Sequence, residues 1–519
     1  MALQPITGYP SSWKAPFVAA EILLGQGPSS AAAGPREACY VAPMLAAGAN
    51  WTANTLYPVG NEQDVINGAG VGSPIHRQIR KHLMCNPRGK LYALPYLPSS
   101  GAGLVSATGT ITYTSAPTAT GQTQIYVCGE LITSNFTSSS TVTTIAADVA
   151  AKINAKVWLP VTATPAVGVV TLTAKIGGAS QNSIIRFRAL IDPGKTTTVA
   201  TSGATVGTGT GTAGVDGATA ESTNLAAALA TIVSTRLYYL GFTVLDGTNF
   251  TAIKTHVSNK NAPSPGLTCR AFVASVDTLA NALTRATALN TELMHIAWQK
   301  NSEHDACELS ANLIASTQLR EELDTAFPGF DGYARADWQI LPAYAQADWP
   351  TDQDKQDAAT GGLCTITSNT VNSQLVMHVT TRSKDSTGVI NDFRATETHR
   401  VSAMHDFADT IKLQHYLTYT QKGFNLQTDP LNADGTVDVN AVGLLPAKVL
   451  TPYKYRPWYF ARLKDFVDAG KFQNLKAWQD GTRINVDPAN ASRLEVGSGG
   501  RTVDVLHQTS FRLAENSPG

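Results

Sequence analysis

The spacing of apolar residues takes three forms along the chain, and each predicts a different kind of structure. In the first stretch, Ile75, Ile79 and Leu83 recur every four positions behind Ser73-Pro74. That spacing predicts a helix with Ser73 at its N-cap and Pro74 at its first position. Phe17 to Leu24 is an apolar run ending in Gly25-Gln26-Gly27, which predicts a strand and a turn. Lys90 to Leu97 predicts another strand. Residues 1–17 carry Pro and Gly without periodicity and read as an extended arm.

Between residues 103 and 212 the pattern becomes alternating and β-branched. Thr110 to Thr114, Ile125 to Leu131, Val169 to Ala174 and Ser183 to Ala189 predict strands. A single helix, with Ile145, Val149 and Ile153 four apart, interrupts them. Charge is scarce here, and Val206 to Gly217 reads as a flexible exit linker. Residues 103–212 therefore form an expected β-rich domain inserted into something else.

Beyond it, strands alternate with amphipathic helices. One helix carries Leu225, Leu229, Ile232 and Val233 behind Ser222. A strand at Phe242 to Leu245 follows, then a short helix near Phe250 to Val257. Cys269 to Ala274 and Leu293 to Trp298 predict strands, separated by a helix capped by Asp277 with Leu279 and Leu283 facing inward. A helix over Asp305 to Leu323 completes the run. This βα alternation predicts a parallel sheet with right-handed crossovers. Further on lie a strand at Leu375 to Thr381, a helix over Thr398 to Gln421 and a turn at Ala433-Asp434-Gly435. A basic-aromatic helix is expected over Trp458 to Trp478, then short strands after Asp480 that end with Thr502 to Leu513.

The fold class that results is an α/β core with a mixed or parallel sheet, an inserted β-rich domain and extended terminal arms. The divisions are 1–17 (arm), 18–102 (first part of the core), 103–212 (insert), 213–480 (second part) and 481–519 (C-terminal strands and arm). At 519 residues several domains are expected. Only 15% of residues are charged, against a usual quarter, so the surfaces suit packing against other protein. Lys plus Arg and Asp plus Glu are 39 each, so no overall field draws the chain to nucleic acid or anionic membrane. The six cysteines are dispersed without CxxC, which argues against disulfide staples and for a reducing compartment. Neither a signal peptide nor an apolar run of transmembrane length is expected.

Motifs suggestive of chemistry each fail at a named position. Gly68-Ala69-Gly70-Val71-Gly72-Ser73 precedes a helix, but Asn61 to Asn67 before it reads as helix, not strand, and no Lys opens the next helix. Asp429 to Asn440 resembles a calcium loop, yet Pro430 holds the position that needs a carboxylate, so an Asp-Gly turn is expected. Glu397, His399 and His405 lack metal-ligand spacing, and His295 reads as a core residue. Asp305, after His304, reads as a helix cap. No nucleophile elbow is present. Catalytic, cofactor and metal residues are therefore expected to be none. Arg462, Lys464, Lys471 and Lys476 form a basic stripe interrupted by Asp465, Asp468 and Asp480. They read as an interface with an acidic protein or as a solvated face, not as a nucleic-acid site.

The block order resembles the tail sheath proteins of Mu-like contractile phages. Three passages carry the likeness: Gly70-Val71-Gly72-Ser73 running to Asn86-Pro87-Arg88-Gly89-Lys90-Leu91-Tyr92-Ala93-Leu94-Pro95; the insert at Ile125 to Leu131, Val161 to Ala174 and Gly177 to Ile185; and Gly362 to Tyr416. The resemblance implies a virion subunit, assembled in the host cytoplasm and not an enzyme. It would polymerise helically around a tail tube and contract to drive the tube through the host envelope. Expected partners are other sheath subunits, the tube, baseplate and tail terminator proteins, without nucleic acid or membrane. Arg462, Lys464, Lys471 and Lys476 become tube-facing candidates, and Thr502, Val503, Val505 and Phe511 inter-subunit arm candidates. The alternatives are a β-rich receptor-binding adhesin and a hydrolase on the α/β core.

Overall fold

The computed structural model describes residues 36–183, 186–191, 199–202, 212–243, 247–262, 266–323, 337–342, 346–368, 372–384, 388–389 and 397–503. The N-terminal arm at 1–17 and the strand at Phe17 to Leu24 lie outside these residues, as does everything after Val503.

β1 (Ala38–Pro43) is buried along its whole length. Tyr40 points into one apolar cluster and Val41 into another, because strand side chains alternate between faces. Such a strand belongs inside a sheet covered on both sides. β2 (Tyr57–Val59), α1 (Glu62–Ala69), α2 (Pro74–Cys85) and β3 (Leu91–Tyr96) follow. Ser73 accepts a bond from the His76 amide and Pro74 stands at the start of α2, as its sequence predicts.

Residues 108–202 build separate antiparallel sheets. β4 (Thr108–Tyr113), β5 (Gly121–Val127), β6 (Glu130–Phe136), α3 (Val142–Ala155), β7 (Val161–Ala166), β8 (Val169–Ala174), β9 (Phe187–Ile191) and β10 (Val199–Ser202) occur in chain order. They pair as β10-β4-β8-β7 and β6-β5-β9. Alternate residues of β4 and β8 are buried, so one face of each looks inward. Ile111, Ile125, Val127, Ile145, Val149, Ile153, Val170 and Leu172 share this unit's own core.

The chain then returns to the first sheet through α4 (Glu221–Thr231), β11 (Tyr239–Phe242), α5 (Gly247–Asn261), β12 (Arg270–Ser275), α6 (Leu279–Leu289), β13 (Met294–Trp298) and α7 (Ala306–Leu323). β14 (Asp337–Pro342), α8 (Asp352–Thr360), β15 (Cys364–Ser368) and β16 (Asn372–Leu375) end it. The nine-stranded order is β14-β16-β15-β13-β12-β11-β1-β3-β2. Its interior strands are parallel, while β2, β14 and β16 run antiparallel to their neighbours. Residues of α2 and α7 pack on one face, and residues of α4, α5 and α6 on the other.

A C-terminal body begins with α9 (Thr398–His415), extended by a wider turn over Tyr416–Thr420. β17 (Asn425–Leu426), α10 (Val439–Leu444), β18 (Val449–Leu450), α11 (Pro452–Asp468), β19 (Phe472–Gln473), α12 (Leu475–Asp480), β20 (Arg483–Asp487), β21 (Asn490–Gly497) and β22 (Arg501–Thr502) complete it. Tyr455, Tyr459, Phe466, Phe472 and Trp478 form its aromatic core.

Several expectations need correction. Ile125 to Leu131 is not one strand but a hairpin, since Cys128 and Gly129 both take positive φ, 48° and 80°. Two such residues make a tight turn whose twist matches the strands. The helix expected over Trp458 to Trp478 begins earlier, at Pro452 under a Thr451 cap, and ends at Asp468. Gly470 at φ 70° turns the chain into β19 before a second short helix. The strand expected from Leu375 stops there instead; β15, unforeseen, supplies its partner. The strand expected at Phe242 to Leu245 sits earlier, at β11. Thr278 caps α6 in place of Asp277, and α4 begins after Ala220 with no side-chain cap. The end of the exit linker is not free: Thr212, Val215 and Thr219 bridge back to Thr108, Val105 and Ser100.

Candidate functional site

Two buried polar networks join the three bodies. The first lies where the 108–202 unit meets the nine-stranded sheet. Arg77, on α2, donates from Nε and Nη2 to Asp305 Oδ2 at 2.9 and 2.5 Å, and from Nη2 to Glu308 at 3.0 Å. The same guanidinium reaches the carbonyl oxygens of Trp158 (3.2 Å) and Cys128 (3.4 Å) across the seam. Asp305 also caps α7, accepting from the Glu308 amide at 2.9 Å, so a helix cap expected from sequence doubles as an ion-pair partner. Burial alone would raise the Glu308 carboxyl, but Lys81, Arg77 and His304 hold it well below the usual carboxylate range.

Other cations close the same seam. Arg186 donates to the carbonyl oxygens of Ser302 (3.3 Å) and Val276 (3.0 Å), and Arg188 pairs with Glu303. Lys175 lies 2.6 Å from the Val157 carbonyl oxygen and 3.4 Å from that of Val71; burial and the Arg77 charge lower its pKa to about 8. Two glycines let the surfaces approach. A Cβ on Gly72, at φ 80°, would stand 2.4 Å from Lys175 Nζ, and one on Gly129, also at φ 80°, 2.2 Å from His304 Nδ1. The glycine-rich passage before α2 thus admits a lysine and the neighbouring backbone to close approach.

The second network ties the C-terminal body to the sheet. Glu321, on α7, accepts from Arg270 at 2.8 and 3.0 Å and from Tyr239 at 2.6 Å, and it also binds Arg36 and Ser402. Arg36 pairs in turn with Asp406 on α9, and Asp406 lies 3.5 Å from Lys471. Burial would raise the Glu321 carboxyl, yet Arg270 and Arg36 outweigh it and hold the group well below its ordinary value. Sequence reasoning missed these residues. The available signal was Arg270, a charge within the otherwise apolar run Cys269 to Ala274.

The residues singled out from the sequence fall in different places. Arg462 pairs with Asp465 at 3.2 Å, Lys464 with Asp468, and Lys476 with Asp480 at 2.6 Å, each one helical turn away. The basic stripe is therefore largely neutralised by its own helices. Lys471 does not share that surface: it is 8% exposed and turned toward Asp406, because the break after Asp468 rotates it inward. Thr502 is buried, accepting from Arg400 at 2.8 Å and, through its carbonyl, from Gln473 at 2.6 Å. Val503 is partly exposed beside it. Val505 and Phe511 lie outside the described residues. Glu397 and His399 approach to 3.7 Å, whereas His405 turns to the Tyr238 hydroxyl. Asp434 accepts from the Thr436 amide at 2.9 Å with Gly435 at φ 83°, the turn its sequence predicts. None of the six cysteines, all among the described residues, forms a disulfide. Among the described residues no helix is long and apolar enough to cross a membrane, and one His/Cys/carboxylate group has the spacing of metal ligands: His295, Cys364 and His378.

No protein-family model matches the chain, and no curated protein matches it significantly. Among solved structures it is similar to a sheath tail protein from Desulfitobacterium hafniense. The two share 11% identity over 94% of this chain and 100% of that one, at a TM-score of 0.45. A similarity that slight does not establish a common fold.

Proposed function

We propose that the chain is a structural subunit that polymerises through its ends, as a phage tail sheath protein does. The observation that carries this reading is the position of β22. Among the described residues this two-residue strand pairs on one side only, with β19, at the point where the chain continues into residues 504–519. A strand paired with a neighbour on one side only can accept a strand from another chain, and a segment leaving it is suited to strand exchange between copies. In this reading residues 103–212 are an inserted outer domain, and the two polar networks hold each subunit rigid while its ends bind neighbours. Head-to-tail contacts that do not close into a ring build a helix. Arg462, Lys464 and Lys476 remain candidates for the face toward an inner tube, with contraction as a change of packing between copies.

The test is truncation followed by negative-stain electron microscopy. Removing Ser498 to Gly519 would also damage the body, because Ser498 bonds Thr482 at 2.8 Å and Gly500 abuts Trp478. Ending the chain after Val503 avoids this. The full chain should form tubes or stacked rings, and the shortened chain should remain folded but dispersed. Normal assembly of the shortened chain would sink the arm reading.

A further inference from the structure

We propose that His295, Cys364 and His378 bind a zinc-class divalent metal ion inside the sheet body. One ligand atom from each of the three, a ring nitrogen or the sulfur, lies within 4.8 Å of those of the other two, and all three residues are buried. β13 carries His295, its parallel neighbour β15 carries Cys364, and His378 lies just past the end of β16.

The hydrogen bonds determine which atoms are available. His295 Nδ1 lies 3.1 Å from the Val379 carbonyl oxygen, which can only accept, so Nδ1 carries the proton. The other ring nitrogen, Nε2, then presents a bare lone pair, and it is buried without a hydrogen-bond partner. A core imidazole with no task for its second nitrogen leaves a polar atom desolvated and unpaired. A metal ion supplies the missing partner. A ligating histidine that donates its other N–H to a backbone carbonyl is also the usual outer-shell arrangement. Phe272 stacks on the His295 ring at 4.5 Å between centroids and 12° between planes, which holds the ring's orientation.

Cys364 completes the donor set. Its Sγ lies 3.0 Å from the same Val379 oxygen, as an S–H donor would. Binding exchanges that proton for the metal: the thiol releases H⁺ to solvent as the S–metal bond forms, and the two neutral imidazoles add no charge. Two nitrogens and a thiolate suit zinc or cobalt(II) better than magnesium or calcium. Zinc–nitrogen bonds of about 2.0 Å and zinc–sulfur bonds of about 2.3 Å put tetrahedral ligand atoms roughly 3.5 Å apart. The trio must therefore close by at most about 1.3 Å, a movement assigned to His378 on its non-strand segment. Enclosed this way, the ion is taken up as the chain folds.

The test unfolds the full chain in denaturant with a chelator and refolds it in reducing buffer with Co²⁺ alone. One equivalent should bind, giving thiolate-to-cobalt charge-transfer absorption, and Zn²⁺ should bleach it. Cys364→Ser should abolish the charge-transfer band, and Cys85→Ser should leave it unchanged. Wild-type chain that regains its native circular dichroism with less than about a tenth of an equivalent of cobalt overturns the proposal, whatever the variants do. A charge-transfer band that persists in Cys364→Ser overturns it too.

Discussion

Arg77 is where the joining of the bodies can be measured most directly. Replacing it with Met keeps most of the aliphatic stem and removes the guanidinium. Asp305 then keeps the Glu308 amide at 2.9 Å but loses two charged donors, and Glu308 keeps Lys81 at 3.6 Å and His304 at 3.1 Å. Two buried carboxylates are left sharing one lysine and a histidine, and the carbonyl oxygens of Trp158 and Cys128 lose a donor. Removing one partner of a buried pair costs about 3–5 kcal/mol, because the survivor stays desolvated and unpaired. Arg77→Met should therefore lose about 4 kcal/mol in urea unfolding followed by circular dichroism. Adding Asp305→Asn removes the stranded charge. The double variant should recover part of the loss, with a coupling energy of about 2–3 kcal/mol in the cycle. A single-variant loss below about 1 kcal/mol, or no relief from Asp305→Asn, would refute the view that this pair holds the seam.

Other consequences can be checked alongside. Glu321→Gln leaves Arg36 and Arg270 facing each other without a full counter-charge, so unfolding should shift by about 3–5 kcal/mol; a loss near zero would show the pair is redundant. Gly129→Ala meets both a positive φ and a Cβ 2.2 Å from His304, and should cost at least about 1–3 kcal/mol, read as a lower urea midpoint. His76 and His82 are held down to about 3, chiefly by burial, against an unfolded value near 6.5. Between pH 6.5 and 3 the unfolded chain binds the extra protons, so stability should fall with pH by roughly 1.4 kcal/mol per unit for each. The window from pH 6.5 to 5 lies above the carboxylate range, and a flat profile there would contradict this. Lys476→Ala, at an exposed pair with Asp480, should change stability by less than about 0.5 kcal/mol.

The sequence by itself determined the elements whose signal is local. Ser73-Pro74 starts a helix because cap and proline geometry act within one turn, and Ile145, Val149 and Ile153 share a buried face because helical periodicity places them there. The β-rich character of 103–212 and the βα alternation after it were legible for the same reason. Boundaries set by competition between neighbours were not. Ile125 to Leu131 reads as one strand until Cys128 and Gly129 turn, and Trp458 to Trp478 as one helix until Gly470 lets Phe472 pair with Thr502. The polar networks were the least visible. Arg77 and Asp305 are 228 positions apart, and Arg36 and Glu321 are 285. A charged residue is ordinarily a surface residue, and only a partner delivered by the fold makes burying it affordable. His295 shows both sides. Its apolar strand placed it in the core, but the bare nitrogen beside Cys364 and His378 exists only because β13, β15 and the chain after β16 come together.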